Sequence, residues 1–167
     1  MHQNEEKYDL ILLDNVLEHV LNPLETLTKL VSLLSAKGTL IIEVPNDFSV
    51  VQRYLLDKKK IPDPFWVVSP DHVSYFNAQG LKSLCEQAGL AQAMLISDYP
   101  IDFALFNGDT NYAVDKSVGK SVHKARVEIE TLIHTLSPDA SIDLYKAFAE
   151  LGLGRDLIGF FSVNNSL

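Results

Sequence analysis

Between Tyr8 and Asn46 the spacing of apolar residues changes twice, and each change marks a new element. Tyr8-Asp9-Leu10-Ile11-Leu12-Leu13-Asp14 is an apolar run of strand length, which predicts a strand covered on both faces in a parallel sheet. Leu24, Leu27, Leu30, Val31 and Leu34 then recur at intervals of three and four, the period of an amphipathic helix. Asn22 suits its N-cap, Pro23 its first helical position, and Glu25 stands where its carboxylate can reach back to the cap. Gly38 suits a left-handed residue closing that helix near Lys37. Thr39-Leu40-Ile41-Ile42-Glu43-Val44 returns to strand length, and Pro45 ends it by removing a ladder donor. The segment reads as a βαβ unit.

Further along, Val50, Val51, Tyr54 and Leu55 predict a short helix within Phe48–Asp57, with Asn46 or Asp47 as its cap. Ile61 to Pro70 carries Pro62, Pro64 and Pro70 around Phe65-Trp66, so it is a loop, folded over something. Asn77 caps a helix whose apolar face is Leu81, Leu84, Cys85 and Ala88, ended by Gly89, and a strand follows over Ala93–Ser97. A helical period runs from Lys116 to Leu136, with His123 and His134 off its stripe, and Ser137-Pro138 opens a second helix through Leu151. These two form a helical hairpin. Asp156–Val163 is the last strand, and Asn164–Leu167 reads as a frayed end.

With 167 residues, 47% of them hydrophobic, the chain is expected to fold as a single domain. Its parts are a core over residues 1–100, a helical extension over 101–155 and a final core strand over 156–163. A net charge of −8 without a dense basic stripe argues against nucleic-acid partners. Cys85 is the only cysteine, which excludes an internal disulfide, and no apolar stretch approaches a membrane span. Met1–Lys7 lacks the apolar segment of a secretory signal, so a cytoplasmic protein is expected.

Ligands of open α/β sheets bind outside the carboxyl ends of the parallel strands, which points to Asp14-Asn15 and Pro45-Asn46, with His72 able to join them. Glu18 and His19 add a carboxylate and an imidazole just after the first strand; they either supply a base near neutral pH or organise the turn by hydrogen bonding. Asn15, Glu18 and His19 are a poor zinc set and no metal is assigned, one hard cation on Glu18 and His19 being the alternative left open. Phe65 and Trp66 either cover an acceptor or belong to the core.

The run Tyr8-Asp9-Leu10-Ile11 through Asp14-Asn15-Val16-Leu17-Glu18-His19-Val20, with Asn22-Pro23, Lys37-Gly38 and Val44-Pro45-Asn46, resembles the middle of class I S-adenosylmethionine-dependent methyltransferases. The resemblance continues through His72-Val73-Ser74-Tyr75-Phe76 and Glu86-Gln87-Ala88-Gly89-Leu90 to about Ile96. From Gly108-Asp109 to Leu151-Gly152-Leu153-Gly154-Arg155-Asp156 the chain is similar to an extension found in members that modify sugars and polysaccharides. The fold so implied is α/β: a partial Rossmann-like methyltransferase sheet, parallel strands with flanking helices and an antiparallel last strand, plus the helical hairpin.

The resemblance implies methyl transfer from S-adenosylmethionine to a small-molecule acceptor, such as a sugar or polysaccharide precursor. Asp14, Asn15 and Val16 would line the cofactor; His19 or His72 would be the base; Glu18, Asn46 and Trp66 would bind the acceptor. Relatives making ubiquinone have a Glu-x-x-Glu-His metal set here, and Asn15 stands at its first position. The family's Gly-rich turn follows no strand in this chain, because Gly152-x-Gly154 precedes one. The chain is therefore expected to be the C-terminal part of such an enzyme, impaired alone, with Tyr8–Asp14 left as an open edge. That edge would pair with another copy or with an N-terminal half. The alternative is a non-catalytic remnant acting as a dimerisation or regulatory partner.

Overall fold

The structure, a computed structural model, describes residues 6–164, so the expected fraying at Asn164–Leu167 falls largely outside the described residues. Four strands form one mixed sheet: β1 (Tyr8–Asp14), β2 (Leu34–Pro45), β3 (Leu90–Ser97) and β4 (Asp156–Val163), in the order β1-β2-β4-β3. β1 runs parallel to β2, and β4 is antiparallel to both β2 and β3. The first three strands thus share one direction, and their carboxyl ends lie along one edge with the start of β4, where Pro45 faces Asp156 and Ser97 faces Leu157.

Helices α1 (Pro23–Leu33) and α3 (Ala78–Gln87) contribute Leu27, Leu81 and Cys85 to the main core, against Leu40, Ile42 and Val44 of β2 and Leu157 and Phe161 of β4. Cys85 is thus a core residue, and burial pushes its thiol up to about 12. The hairpin of α4 (Gly119–Leu136) and α5 (Pro138–Glu150) turns at Ser137, whose hydroxyl accepts the Ala140 N–H as a cap, and α5 packs on β3. A second, smaller core joins Val51 and Leu55 of α2 (Val50–Asp57) to Ile61, Trp66 and Leu105. No helix among the described residues is long and apolar enough to cross a membrane.

Three local expectations are corrected. The first helix ends at Leu33 rather than near Lys37, because Leu34 is already extended and pairs with Tyr8 while still filling the core. Gly38 is accordingly a strand residue; a Cβ there would lie 2.8 Å from the Tyr8 carbonyl oxygen, so close approach to β1 is what calls for glycine. The cap of α2 is Ser49 in a reciprocal capping box with Gln52, since Asn46 and Asp47 are engaged elsewhere. β1 is not covered on both faces: it is the sheet edge, and Leu10 and Leu12 are 58% and 57% exposed. Ile11 and Leu13 on its other face pack against the core, which keeps the alternation of a strand covered on one side. The open edge implied by the resemblance is therefore present.

β4 enters the sheet through Gly154-Arg155-Asp156, and this entry is tightly pinned. The Asp98 carboxylate accepts both the Arg155 and Asp156 N–H groups at 2.6 and 2.9 Å, and Arg126 donates to its other oxygen at 3.3 Å. The Ser97 hydroxyl bonds the Leu153 and Asp156 carbonyls at 2.7 and 2.8 Å. Burial pushes the carboxyls of Asp98 and Asp156 up to about 6; hydrogen bonds and Arg126 only partly oppose it at Asp98, and Arg155 and Arg126 only partly at Asp156.

Gly154 has φ +88°, and a Cβ on it would fall 1.7 Å from Ser97 Oγ and 2.8 Å from the Asp98 carbonyl oxygen. Gly154→Ala is expected to lower stability by about 2–4 kcal/mol in urea unfolding, whereas Gly108→Ala, with nothing within 4 Å of its Cβ, stays within ~0.5 kcal/mol. A second measurement follows from the carboxyls. Raised in the folded chain, they hold protons there that the unfolded chain has released, so the stability they confer at low pH is lost as pH rises from about 4 to about 6. Unfolding at pH 5 should need about 1–3 kcal/mol more than at pH 7, and Asp156→Asn should shrink that difference while Asp98 keeps its share; equal stability at the two pH values would sink the argument.

Candidate functional site

Beyond β1 the chain makes a sharp corner. Asn15 is left-handed, at φ 49°, a conformation that asparagine tolerates; its N–H donates to the Glu43 carbonyl at 3.1 Å and its side chain to Asp14 Oδ1 at 3.0 Å. Asp14, Asn15 and Val16 are all exposed there. The corner leads into a single tight turn, Leu17–His19, with Leu17 and Glu18 buried. The Glu18 carbonyl accepts the N–H groups of Val73 and Ser74 at 2.9 and 3.0 Å, which straps the segment after Pro70 across the end of β1.

That strap brings His72 to Glu18 and His19, residues more than fifty positions away in sequence. Their ligand-type atoms lie within 4.8 Å of one another, and the two imidazoles meet edge to face with centroids 4.9 Å apart. Glu18 is 1% exposed, and its Oε2 has no hydrogen-bond partner; nor does the buried Nδ1 of His72. His19 Nδ1 is 2.7 Å from the Asp71 carbonyl oxygen. A carbonyl can only accept, so Nδ1 carries the hydrogen, and the Nε2 lone pair of the neutral ring is left 3.5 Å from Glu18 Oε1. Two acceptors facing each other at that distance call for a proton or a cation between them. One carboxylate and two imidazoles, two of their atoms buried and unpartnered, are a chemically suitable set for a divalent cation. Sequence spacing alone joins only Glu18 and His19, and the third member comes from the fold.

His72 also forms part of the wall of a cavity of about 360 Å³ at the carboxyl edge of the sheet. Asn46 and Trp66 line it too, while Asp14, Asn15 and Val16 lie outside its lining. Asn46 directs its amide hydrogens to the Leu153 and Gly154 carbonyls at 3.3 and 3.1 Å, tying the end of β2 to the entry of β4. Trp66 is 3% exposed and belongs to the second core, yet its Nε1–H lacks a partner. His123, off the helical stripe of α4 and exposed, reaches the cavity lining as well.

Sequence reasoning missed several residues of this wall. Asp47 follows Asn46 directly: its N–H donates to the Phe76 carbonyl at 2.7 Å and its Oδ2 accepts the Phe76 N–H at 3.3 Å, while burial pushes its carboxyl up to about 6. Asp156 stands opposite Pro45, a position legible once the last strand is antiparallel. Arg155 sits 5.1 Å from the Phe65 ring centroid and pairs with Asp102 at 3.3 Å; Asp102 also accepts hydrogen bonds from Tyr112 and from Gln52, the latter at 3.1 Å. No sequence motif joins those four residues.

Among solved structures, the chain is similar to a Galdieria sulphuraria protein assigned as a sarcosine dimethylglycine methyltransferase, at 16% identity and TM-score 0.47, covering 99% of this chain and 57% of that one. It is also similar to a Haloferax volcanii complex between the Trm112 methyltransferase activator and a protein assigned as a methyltransferase, at 15% identity and TM-score 0.49, covering 100% and 58%. A third is an O-methyltransferase from a trans-AT PKS multienzyme of Brevibacillus brevis with S-adenosyl-L-homocysteine, at 19% identity and TM-score 0.49, covering 97% and 46%. The chain thus spans about half the length of the structures it matches. No curated protein matches it. A family model described as a methyltransferase domain matches residues 1–93, more than half of the sequence, and the chain belongs to that methyltransferase-domain family.

Proposed function

We propose that this chain supplies the acceptor-binding portion of an S-adenosylmethionine-dependent methyltransferase acting on a small molecule, a sugar or polysaccharide precursor being one such acceptor. The observation that carries the reading is the Glu18–His19–His72 cluster at the carboxyl end of β1, opening through His72 onto the 360 Å³ cavity. S-adenosylmethionine, when bound, supplies an electrophilic methyl group. The chain's own residues hold the acceptor in line and remove its proton, at a ring nitrogen of His72 or at His19 Nε2, the His19 nitrogen that no carbonyl engages. A divalent cation held by Glu18, His19 and His72 would take those nitrogens instead, and would polarise an acceptor oxygen in place of the imidazole base.

Cofactor binding is served only in part. The Asp14-Asn15-Val16 corner is exposed and available, but β1, β2 and β3 are followed by Asn15, Asn46 and Asp98 rather than by a Gly-rich turn able to present successive N–H groups. Calorimetric titration of the 167-residue chain is therefore expected to give a Kd for S-adenosylmethionine of ~0.1 mM or weaker; low-micromolar binding would show that the missing contacts matter less than argued. In a longer chain that carries such a turn ahead of β1, His72→Ala should lower kcat about 10²-fold while cofactor affinity holds. An unchanged kcat would leave His72 with a purely structural role in the Pro70 loop.

A second reading, a non-catalytic partner that assembles through its edge strand, is favoured by one observation: among the described residues β1 has no neighbour on its outer side, and it exposes Tyr8, Leu10 and Leu12. It predicts that light scattering on the pure chain finds dimers or larger species and that Leu10→Lys with Leu12→Lys yields monomers. A wild-type chain that stays monomeric at high concentration would count against it.

A further inference from the structure

The charges around the 360 Å³ cavity do not balance. Of its two arginines, Arg155 is matched by Asp102 at 3.3 Å, and Arg126 by Asp98 at 3.3 Å and Glu130 at 3.6 Å. Two carboxylates on the wall, Asp47 and Asp156, have no such partner: none of the described cations lies within ion-pair distance of either. Asp47 accepts one N–H, from Phe76, and the described residues donate no hydrogen bond to the Asp156 carboxylate. Burial pushes both carboxyls up to about 6; Asp156 adds to the rise at Asp47, and Arg155 opposes it at both without coming within ion-pair distance.

The rest of the wall suits a cation with an apolar body. Phe65, Trp66 and Tyr112 line the cavity, and the Arg155 guanidinium already stands over the Phe65 ring, so the site accommodates a cation against an aromatic face. Trp66, 3% exposed, belongs to the same wall, and its buried Nε1–H has no partner among the described residues.

We infer that this cavity takes an acceptor bearing a protonated amine, its ammonium group held by Asp47 and Asp156 and its body lying against the aromatic wall. The inference rests on the methyltransferase reading only in naming the ligand as acceptor; amine binding itself does not require it.

The test uses the sole tryptophan as a reporter. The indole N–H resonance of Trp66 is followed while the ¹⁵N-labelled chain is titrated, without a methyl donor, with benzylamine and with its uncharged counterpart benzyl alcohol at neutral pH and low salt. Benzylamine should shift the resonance saturably and bind about ten-fold or more tightly than the alcohol. Asp156→Asn should weaken benzylamine by about five-fold or more and leave benzyl alcohol unchanged. Asp47→Asn should do the same, and because Asp47 also holds the Phe76 segment, Asp156→Asn decides if that variant loses its dispersed spectrum. Equal binding of the two probes, no benzylamine binding, or an Asp156→Asn chain that binds benzylamine as before would each overturn the proposal. The methyltransferase reading is judged separately, by the His72→Ala kinetics in the longer chain: an unchanged kcat there would leave amine binding standing, and loss of benzylamine binding here would leave methyl transfer standing.

Discussion

The sheet depends on how β4 is inserted. An antiparallel strand between β2 and β3 has to begin where its parallel neighbours end, so the Gly154-Arg155-Asp156 entry is forced into the carboxyl edge, where a ligand site of an open α/β sheet lies. Asp98 and Ser97, at the end of β3, fix that entry through its N–H and carbonyl groups, and Asn46 fixes it from the end of β2. The side chains left over from this fastening, Asp156 and Arg155, become cavity wall.

The same edge is reached from the other side by the strap after Pro70. Its two hydrogen bonds to the Glu18 carbonyl place His72 beside His19, while Asp47 holds Phe76 at the strap's far end. The candidate chemistry therefore depends on backbone hydrogen bonds in a segment with no regular structure of its own. A buried carboxylate oxygen and a buried imidazole nitrogen without partners are costly to maintain in a folded chain, and their proximity is the reason to see function in them.

β1 shows how far covering decides what a strand is. Its sequence has the continuous apolar character of a strand buried on both faces, yet Leu10 and Leu12 lie open at the sheet edge. The apolar run is suited to an environment that the described residues do not supply, and that mismatch ties the edge to the idea of a partner, whether a second copy or a further segment of the fold.

The sequence by itself determined the elements and their chemistry. Period and capping residues marked the helices at Asn22-Pro23, Asn77 and Ser137-Pro138, the last strand was legible over Asp156–Val163, and Glu18-His19 stood out just beyond the first strand. These signals are local, since capping and periodicity are fixed by neighbours within a turn or two. What only the tertiary structure decided is where long-range contact overrides them. The first helix stops at Leu33 because the sheet captures Leu34, Gly38 answers to the Tyr8 carbonyl rather than to a helix end, and Ser49 caps α2 because Asn46 and Asp47 are drawn to β4 and Phe76. The joining of His72 to Glu18 and His19, and of Asp47 to Asp156 across one cavity, belongs to that same class: no spacing encodes it, since it exists only where strands distant in sequence end side by side.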